Sequence, residues 1–221
     1  ASTWRGLAGG RMREGVELVR TASALVGASD VEVIGPKRGV AEELVELVRS
    51  VPGVLEASPL IGETVRIVTS DPAGVPLHVL GVDLLAERKS FDFEVEREKA
   101  IIRDPLSLLA SPNSILITAA LAQRLGLELG GTLPVRAASG GHELEIAGLI
   151  TDGDFGRAYR GQIAVMDVYA LQQLVAAYGF VDRIDLVVDG DQREQVIERV
   201  QTVVGSRATV RHIRPRRSGT A

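Results

Sequence analysis

A chain of 221 residues with 45% hydrophobic and 24% charged side chains can bury one or two cores, which excludes wholesale disorder. A net charge of −4 with only 4% aromatics opposes a nucleic-acid surface, because base-stacking platforms need exposed aromatics among basic residues. The lack of cysteine removes disulfides, thiolate nucleophiles and the common structural zinc sites together.

No apolar run reaches the roughly 20 residues of a membrane span. The N-terminus "ASTWRGLAGGRMREG" lacks the apolar segment of a signal peptide. Taken alone the chain is expected to be soluble, which is compatible with a piece cut from between two spans of a membrane protein.

In chain order, "LAGGRMREGVELVRTASALV" (7–26) carries Val16, Leu18, Val19, Ala22 and Leu25 at helical spacing and predicts a helix ended by Gly27. "DVEVIG" (30–35) alternates as a strand. "RGVAEELVELVRSV" (38–51) predicts an amphipathic helix through Val40, Leu44, Leu47 and Val51, broken at Pro52-Gly53. "VLEASPLIGETVRIVTS" (54–70) is a long strand region, with an interruption expected at Pro59 or Gly62. The turn "DPAG" and the strand "VPLHVLGVD" complete a hairpin.

An irregular stretch follows, in which Asp104-Pro105 suits a helix start before Leu106, Leu108 and Leu109. "SILITAALAQRLG" carries a strand into a helix capped near Thr118. Gly126 then sits where a left-handed helix C-cap is wanted. Gly130 and Gly131 thus follow a helix end instead of opening a helix, so they form a helix-to-strand joint and not a phosphate loop. The alternating "LEL" (127–129) and the strands "TLPVRA", "HELEIAGLI" and "GQIAVMDVY" follow, with "SGG" as a hairpin turn. The helix "DVYALQQLVAA" closes this region.

Near the C-terminus the first unit recurs. "RIDLVVDG" is a strand, "DQREQVIERVQTVV" a helix and "ATVRHIR" a strand, so that Val31 aligns with Ile184. Each unit is a βαβ element, and two of them make a split βαβ layer in which the chain's ends meet. The expected fold class is therefore α+β with two subdomains. Residues 1–83 plus 176–221 form a discontinuous βαβ-repeat (ferredoxin-like) platform, and 84–175 an inserted β-rich α+β module.

Signs of catalysis are absent from the pattern. His78, His142 and His212 lie in strands or strand starts, none beside an obvious nucleophile, and there is no G-x-S-x-G elbow. Asp152 and Asp154 faintly echo a calcium loop, but the basic and aromatic "GRAYRGQ" that follows lacks the further oxygen ligands, so a turn is expected. No catalytic, metal or cofactor-binding residue is assigned. Arg211, Arg214, Arg216 and Arg217 form the one dense basic cluster, read either as a solvated tail or as a membrane-surface contact.

The order of these elements resembles the extracytoplasmic (periplasmic core) domain of MacB-like, FtsX-like ABC transporter permeases over nearly the whole chain. The stretches that carry it are "SDVEVIG" before a helix, "VRSVPGVLEASPLIGETVRI", "PLHVLGVDLLAE", "NSILITAALAQRLGLELGGTLPV", "ELEIAGLI" and "GQIAVMDVYALQQL".

The resemblance implies a porter-type platform with a β-rich insert, placed between the first two membrane spans on the extracytoplasmic side of a cell membrane. It implies a cytoplasmic ABC ATPase subunit and a second permease subunit as partners, and a mechanical role in coupling ATP hydrolysis to movement outside. Lipid, peptide or lipoprotein cargo and an external protein are the partners expected there. Activation of a cell-wall hydrolase is the alternative, and a free-standing enzyme working in a cleft the remoter one. Expected partner or cargo contacts are Phe155, Tyr159 and Arg160 in the loop 152–162, then Phe91 and Phe93; Arg214, Arg216 and Arg217 are the expected membrane-surface contacts.

Overall fold

The computed structural model describes residues 29–36, 39–84, 100–102, 111–150 and 158–213. The helix expected at 7–26, the helix start at Asp104-Pro105 and the Asp152/Asp154 turn lie outside the described residues. The described residues divide into two compact units: one holds those from Ser29 to Pro59 and from Gly179 onward, the other those from Leu60 to Tyr178.

The first unit contains β1 (Val31–Ile34), β2 (Val40–Ala41), helix α1 (Glu43–Arg49) and the opening residues of β3 (Val54–Ile67). It is completed by three strands and a helix from the chain's last part, residues 180–212. Its sheet has the order β12-β1-β11-β3, where β11 is Arg183–Val188 and β12 is Thr209–His212. Strand β11 thus lies between β1 and β3, and β1 between β11 and β12, so each βαβ element is split by a strand of the other. Strand β1 is antiparallel to both neighbours, with Val31 opposite Leu186 and His212.

Period-two alternation decides the faces. Val31, Val33, Ile184 and Leu186 point to one side and are fully buried, as are Leu44 and Val48 of α1 and Val196, Val200 and Val204 of α4 (Arg193–Val204). Such spacing at i, i+4 and i+8 is what a helix needs to lie on a sheet.

Helix α1 starts later than its periodicity suggested. Val40 and Ala41 instead form β2, paired with Val181 and Phe180 of β10 (Phe180–Val181). Val40 is helical by apolar spacing but β-branched, and a ladder partner overrides the weak helix preference.

The second unit is a closed barrel. Its strands are the later part of β3, β4 (Val75–Val82), β6 (Ser114–Thr118), β7 (Thr132–Ala137), β8 (Gly140–Ile150) and β9 (Ile163–Asp167). The short β5 (Ala100–Ile102) is added on β8. Pairing runs β3-β4-β9-β6-β8-β7 and returns to β3. Register places Val65, Ile67, Leu77, Val79, Ile117 and Val135 on the inner face, all nearly or wholly buried. Helix α2 (Ala119–Leu125) follows β6, and α3 (Val168–Val175) follows β9.

Residues 60–82, assigned on sequence to the platform, pair within this barrel, so the change of unit falls inside β3 and not at 83/84. No break marks the place. The expected interruption at Pro59 or Gly62 is also absent, and β3 runs unbroken through both. Pro59 immediately precedes Leu60, the first residue in register with β4, so it stands outside that ladder. The alternating stretch 127–129 forms no strand and leads into a turn in which the Glu128 carbonyl accepts from Gly131 N–H at 2.9 Å.

Candidate functional site

Two of the five expected contact residues, Tyr159 and Arg160, are described; Phe91, Phe93 and Phe155 lie outside the described residues, as do Arg214, Arg216 and Arg217. Tyr159 and Arg160 have φ of 50° and 57°, and Gly161 follows at 77°. Left-handed backbone costs a non-glycine residue about 1–2 kcal/mol, so two in succession must be held by their surroundings.

The holds can be named. Tyr159 stacks on His78 with ring centroids 4.1 Å apart. His78 Nδ1 shares a hydrogen bond with Thr64 Oγ1 at 3.1 Å, its direct cross-strand partner. Gln162 N–H donates to Tyr159 O, and His78 N–H donates to Gln162 O. The Thr118 hydroxyl donates to Gly161 O at 2.6 Å. That hydroxyl also accepts from Leu121 N–H as the N-cap of α2. One buried threonine thus starts a helix and anchors the strained turn, leaving the Arg160 side chain exposed.

The joint at 126–131 is built as its glycines suggest. Gly126 is left-handed (φ 65°, ψ 33°) and closes α2, with Leu127 N–H donating to Ala122 O. Gly130 N–H donates to Ile146 O at 2.7 Å, and Ile146 N–H to Gly131 O at 2.9 Å. These amide groups are consumed in protein contacts, so no phosphate cradle is formed.

Histidine chemistry is more interesting than the sequence suggested. His142 Nε2 does neighbour a hydroxyl, Ser139 Oγ, at 2.6 Å. That hydroxyl donates to Leu174 O at 2.5 Å, which leaves its oxygen to accept from the imidazole. A histidine donating to the serine is not positioned as its base. His212 lies 3.7 Å from Glu194 on an open surface. Among the described residues no group of three or more His, Asp or Glu side chains gathers around a common point for a metal.

Two acidic centres stand out electrostatically, one around the half-buried Asp167 and one at the buried Asp185. Asp167 caps α3, accepting from Tyr169 and Ala170 N–H at 3.0 and 3.2 Å. Burial pushes its carboxyl above the usual range and the charge of Asp83 adds to this, against the pull of the two N–H groups. Asp83 is only 5% exposed and follows Val82, which is in register with Asp167.

In the other unit, Arg183 holds Asp185 by one hydrogen bond, Nη2 to Oδ2 at 2.8 Å, and by an ion-pair contact of 2.7 Å between Nε and Oδ1 whose angle does not make a second hydrogen bond. Ser29 donates to the same carboxylate, and Glu32 lies 3.4 Å from Arg183. Burial raises Asp185 while Arg183 opposes the rise. Both members sit at i and i+2 on the sheet face opposite Ile184 and Leu186, a pattern visible in "RIDL" that sequence reasoning passed over.

No protein-family model matches the sequence, and no curated protein does. Solved structures do. The extracellular domain of the noncanonic ABC-type transporter YknZ from Gram-positive bacteria superposes with a TM-score of 0.57 at 12% identity, covering 83% of this chain and 99% of that one. The periplasmic region of MacB from Actinobacillus actinomycetemcomitans gives 0.58 at 8% identity, covering 89% and 94%. A domain of a putative permease protein from Porphyromonas gingivalis gives 0.53 at 14% identity, covering 87% and 92%. The α+β fold is therefore that of extracytoplasmic transporter domains.

Proposed function

We propose that this chain is the extracytoplasmic domain of an ABC transporter permease, coupling cytoplasmic ATP hydrolysis to conformational change and to engagement of a cargo or partner outside the membrane. The observation that carries this reading is the extent of the fold match: 92–99% of each of three transporter domains is accounted for by 83–89% of this chain. A fold by itself does not fix a function, but the order of the sequence stretches from "SDVEVIG" to "GQIAVMDVYALQQL" is an independent reason for the same reading. In it the ATPase subunit and a second permease copy are the partners in the membrane. Tyr159 and Arg160, with Phe155, Phe91 and Phe93, are the cargo or partner contacts, and Arg214, Arg216 and Arg217 meet the headgroups.

The chain's lack of cysteine offers the test. In the full-length gene product, freed of any other cysteine, Thr202→Cys on the exposed side of α4 is expected to react with a membrane-impermeant maleimide in intact cells. Labelling only after lysis overturns the location. Coupling is read separately at Arg160→Cys, whose labelling rate is expected to differ between nucleotide-free and vanadate-trapped transporter containing the ATPase subunit. Equal rates in the two states overturn coupling at this turn.

A further inference from the structure

The barrel closes where β3 meets β7, and the register there places Arg66 directly opposite Arg136. Residues so opposed have Cβ atoms about 4.5–5.5 Å apart, and like charges at that spacing are destabilising. Among the described residues neither arginine has an acidic group within ion-pair distance. Arg66 Nη1 donates to the Ala73 carbonyl at 2.9 Å, which fixes it along the β3–β4 turn. Among the described residues the Arg136 side chain has no hydrogen-bond partner.

Between them and the turn lies a hollow of about 30 Å³, lined also by Thr69, Asp71 and Gly74. One water needs about 10–15 Å³, so the space takes a group the size of two or three waters. Asp71 is the one acid in the lining. Its Oδ1 already accepts from Ala73 N–H at 2.9 Å, and two guanidinium groups against one carboxylate leave a net positive wall.

From this geometry we infer that the Arg66–Arg136 hollow is a binding site for a phosphate-class oxyanion, either free or as an exposed headgroup. Two guanidinium groups lining one hollow match an oxyanion that can accept from both. The ligand replaces repulsion across the seam with two charge-assisted bonds. The site does not depend on the transporter reading, since it rests on register and chemistry alone.

Calorimetric titration of the 221-residue chain with inorganic phosphate, against chloride of equal ionic strength, tests it. Binding is expected for the native chain and is expected to weaken tenfold or more in Arg136→Gln. Arg136→Lys, which keeps charge but not the fork, is expected to fall between, and Arg124→Gln on α2 to bind as the native chain does. Because Arg136→Gln relieves the like-charge pair, its melting temperature without phosphate is expected to equal or exceed the native value, so lost binding is not lost folding.

Sedimentation with phosphatidylglycerol vesicles, and phosphatidylcholine vesicles as the neutral reference, separates the sources. Arg136-dependent binding to the anionic vesicles identifies a headgroup, and phosphate binding without it a free oxyanion. No binding beyond the chloride reference, or equal affinity in Arg136→Gln, overturns the site.

Discussion

Asp167 is asked to do two things that oppose each other. Its carboxylate caps α3, which favours charge, while burial and the nearby Asp83 disfavour it, and burial is the larger effect. The folded pKa therefore stands above the ordinary 3.8. Protonated Asp167 is favoured by folding, so its contribution is fully present below that value and is lost as pH rises through the raised folded pKa. Asn is as good an N-cap as Asp and carries no charge. Asp167→Asn is expected to gain stability relative to the native chain as pH climbs from about 4 to 7, whereas Asp167→Ala loses about 1 kcal/mol of capping. Urea melts at several pH values check both; a constant difference between Asn and Asp would contradict the sign.

The pair Arg183–Asp185 follows another logic. Its members are 6% and 2% exposed, so removing one leaves a buried charge. Asp185→Ala is expected to cost about 3–5 kcal/mol, and Arg183→Met with Asp185→Leu together much less. Denaturant melts of the single and the double variant read the difference. Nearly equal losses for the single and double changes would show that the pair acts chiefly by filling space.

For single elements, composition and period were good guides wherever a cap or turn residue supplied a local signal. Thr118, Gly126 and Asp167 mark helix ends through their own hydrogen bonds or φ, and each falls where the pattern "SILITAALAQRLG" or "MDVYALQQL" puts it. Strand β3 was harder to read. Pro59 and Gly62 are strand breakers by habit, yet the strand carries on through both because what they disturb depends on which neighbour pairs at each point. That information lies in other segments of the chain.

Gly81 shows the same dependence in packing. A Cβ there would lie 2.6 Å from Ile61 Cγ2 and 3.0 Å from Val168 Cα, so α3 sits against β4 only because this position has no side chain. Gly81→Ala is expected to destabilise by about 1–3 kcal/mol through overpacking. Thermal melts check it, with Gly141→Ala, whose Cβ would meet nothing within 4 Å, as the reference.

At the scale of the whole molecule, the discontinuous platform was legible because its βαβ unit occurs twice, so that Val31 and Ile184 could be aligned and are now found side by side as Val33–Ile184 and Val31–Leu186 pairs. Closure of the barrel was not. Six strands with hairpin-like spacing serve an open sheet equally well, and the meeting of Ile67 with Val135 is decided by strand curvature and twist, not by any local pattern. The contact residues remained half hidden for a related reason. Loop aromatics announce exposure by their neighbours in sequence, whereas the stacking of Tyr159 on His78 needs two strands and a strained turn to bring the rings together.

The closing seam of that barrel is short. Beyond Arg66–Arg136 and Ile67–Val135 it is continued by one bond, Val68 N–H to Pro134 O at 2.9 Å, and Val68 itself is 43% exposed. A ladder this brief, with two like charges across it, is the place where the ring unclasps first, since local opening follows the weakest set of backbone bonds. The Val68 amide is therefore expected to exchange with solvent faster than the amides of the β3–β4 ladder, a difference that hydrogen-exchange measurements resolve residue by residue. The barrel is in this sense a ring with a clasp, and the clasp sits beside the hollow whose occupant would hold it shut.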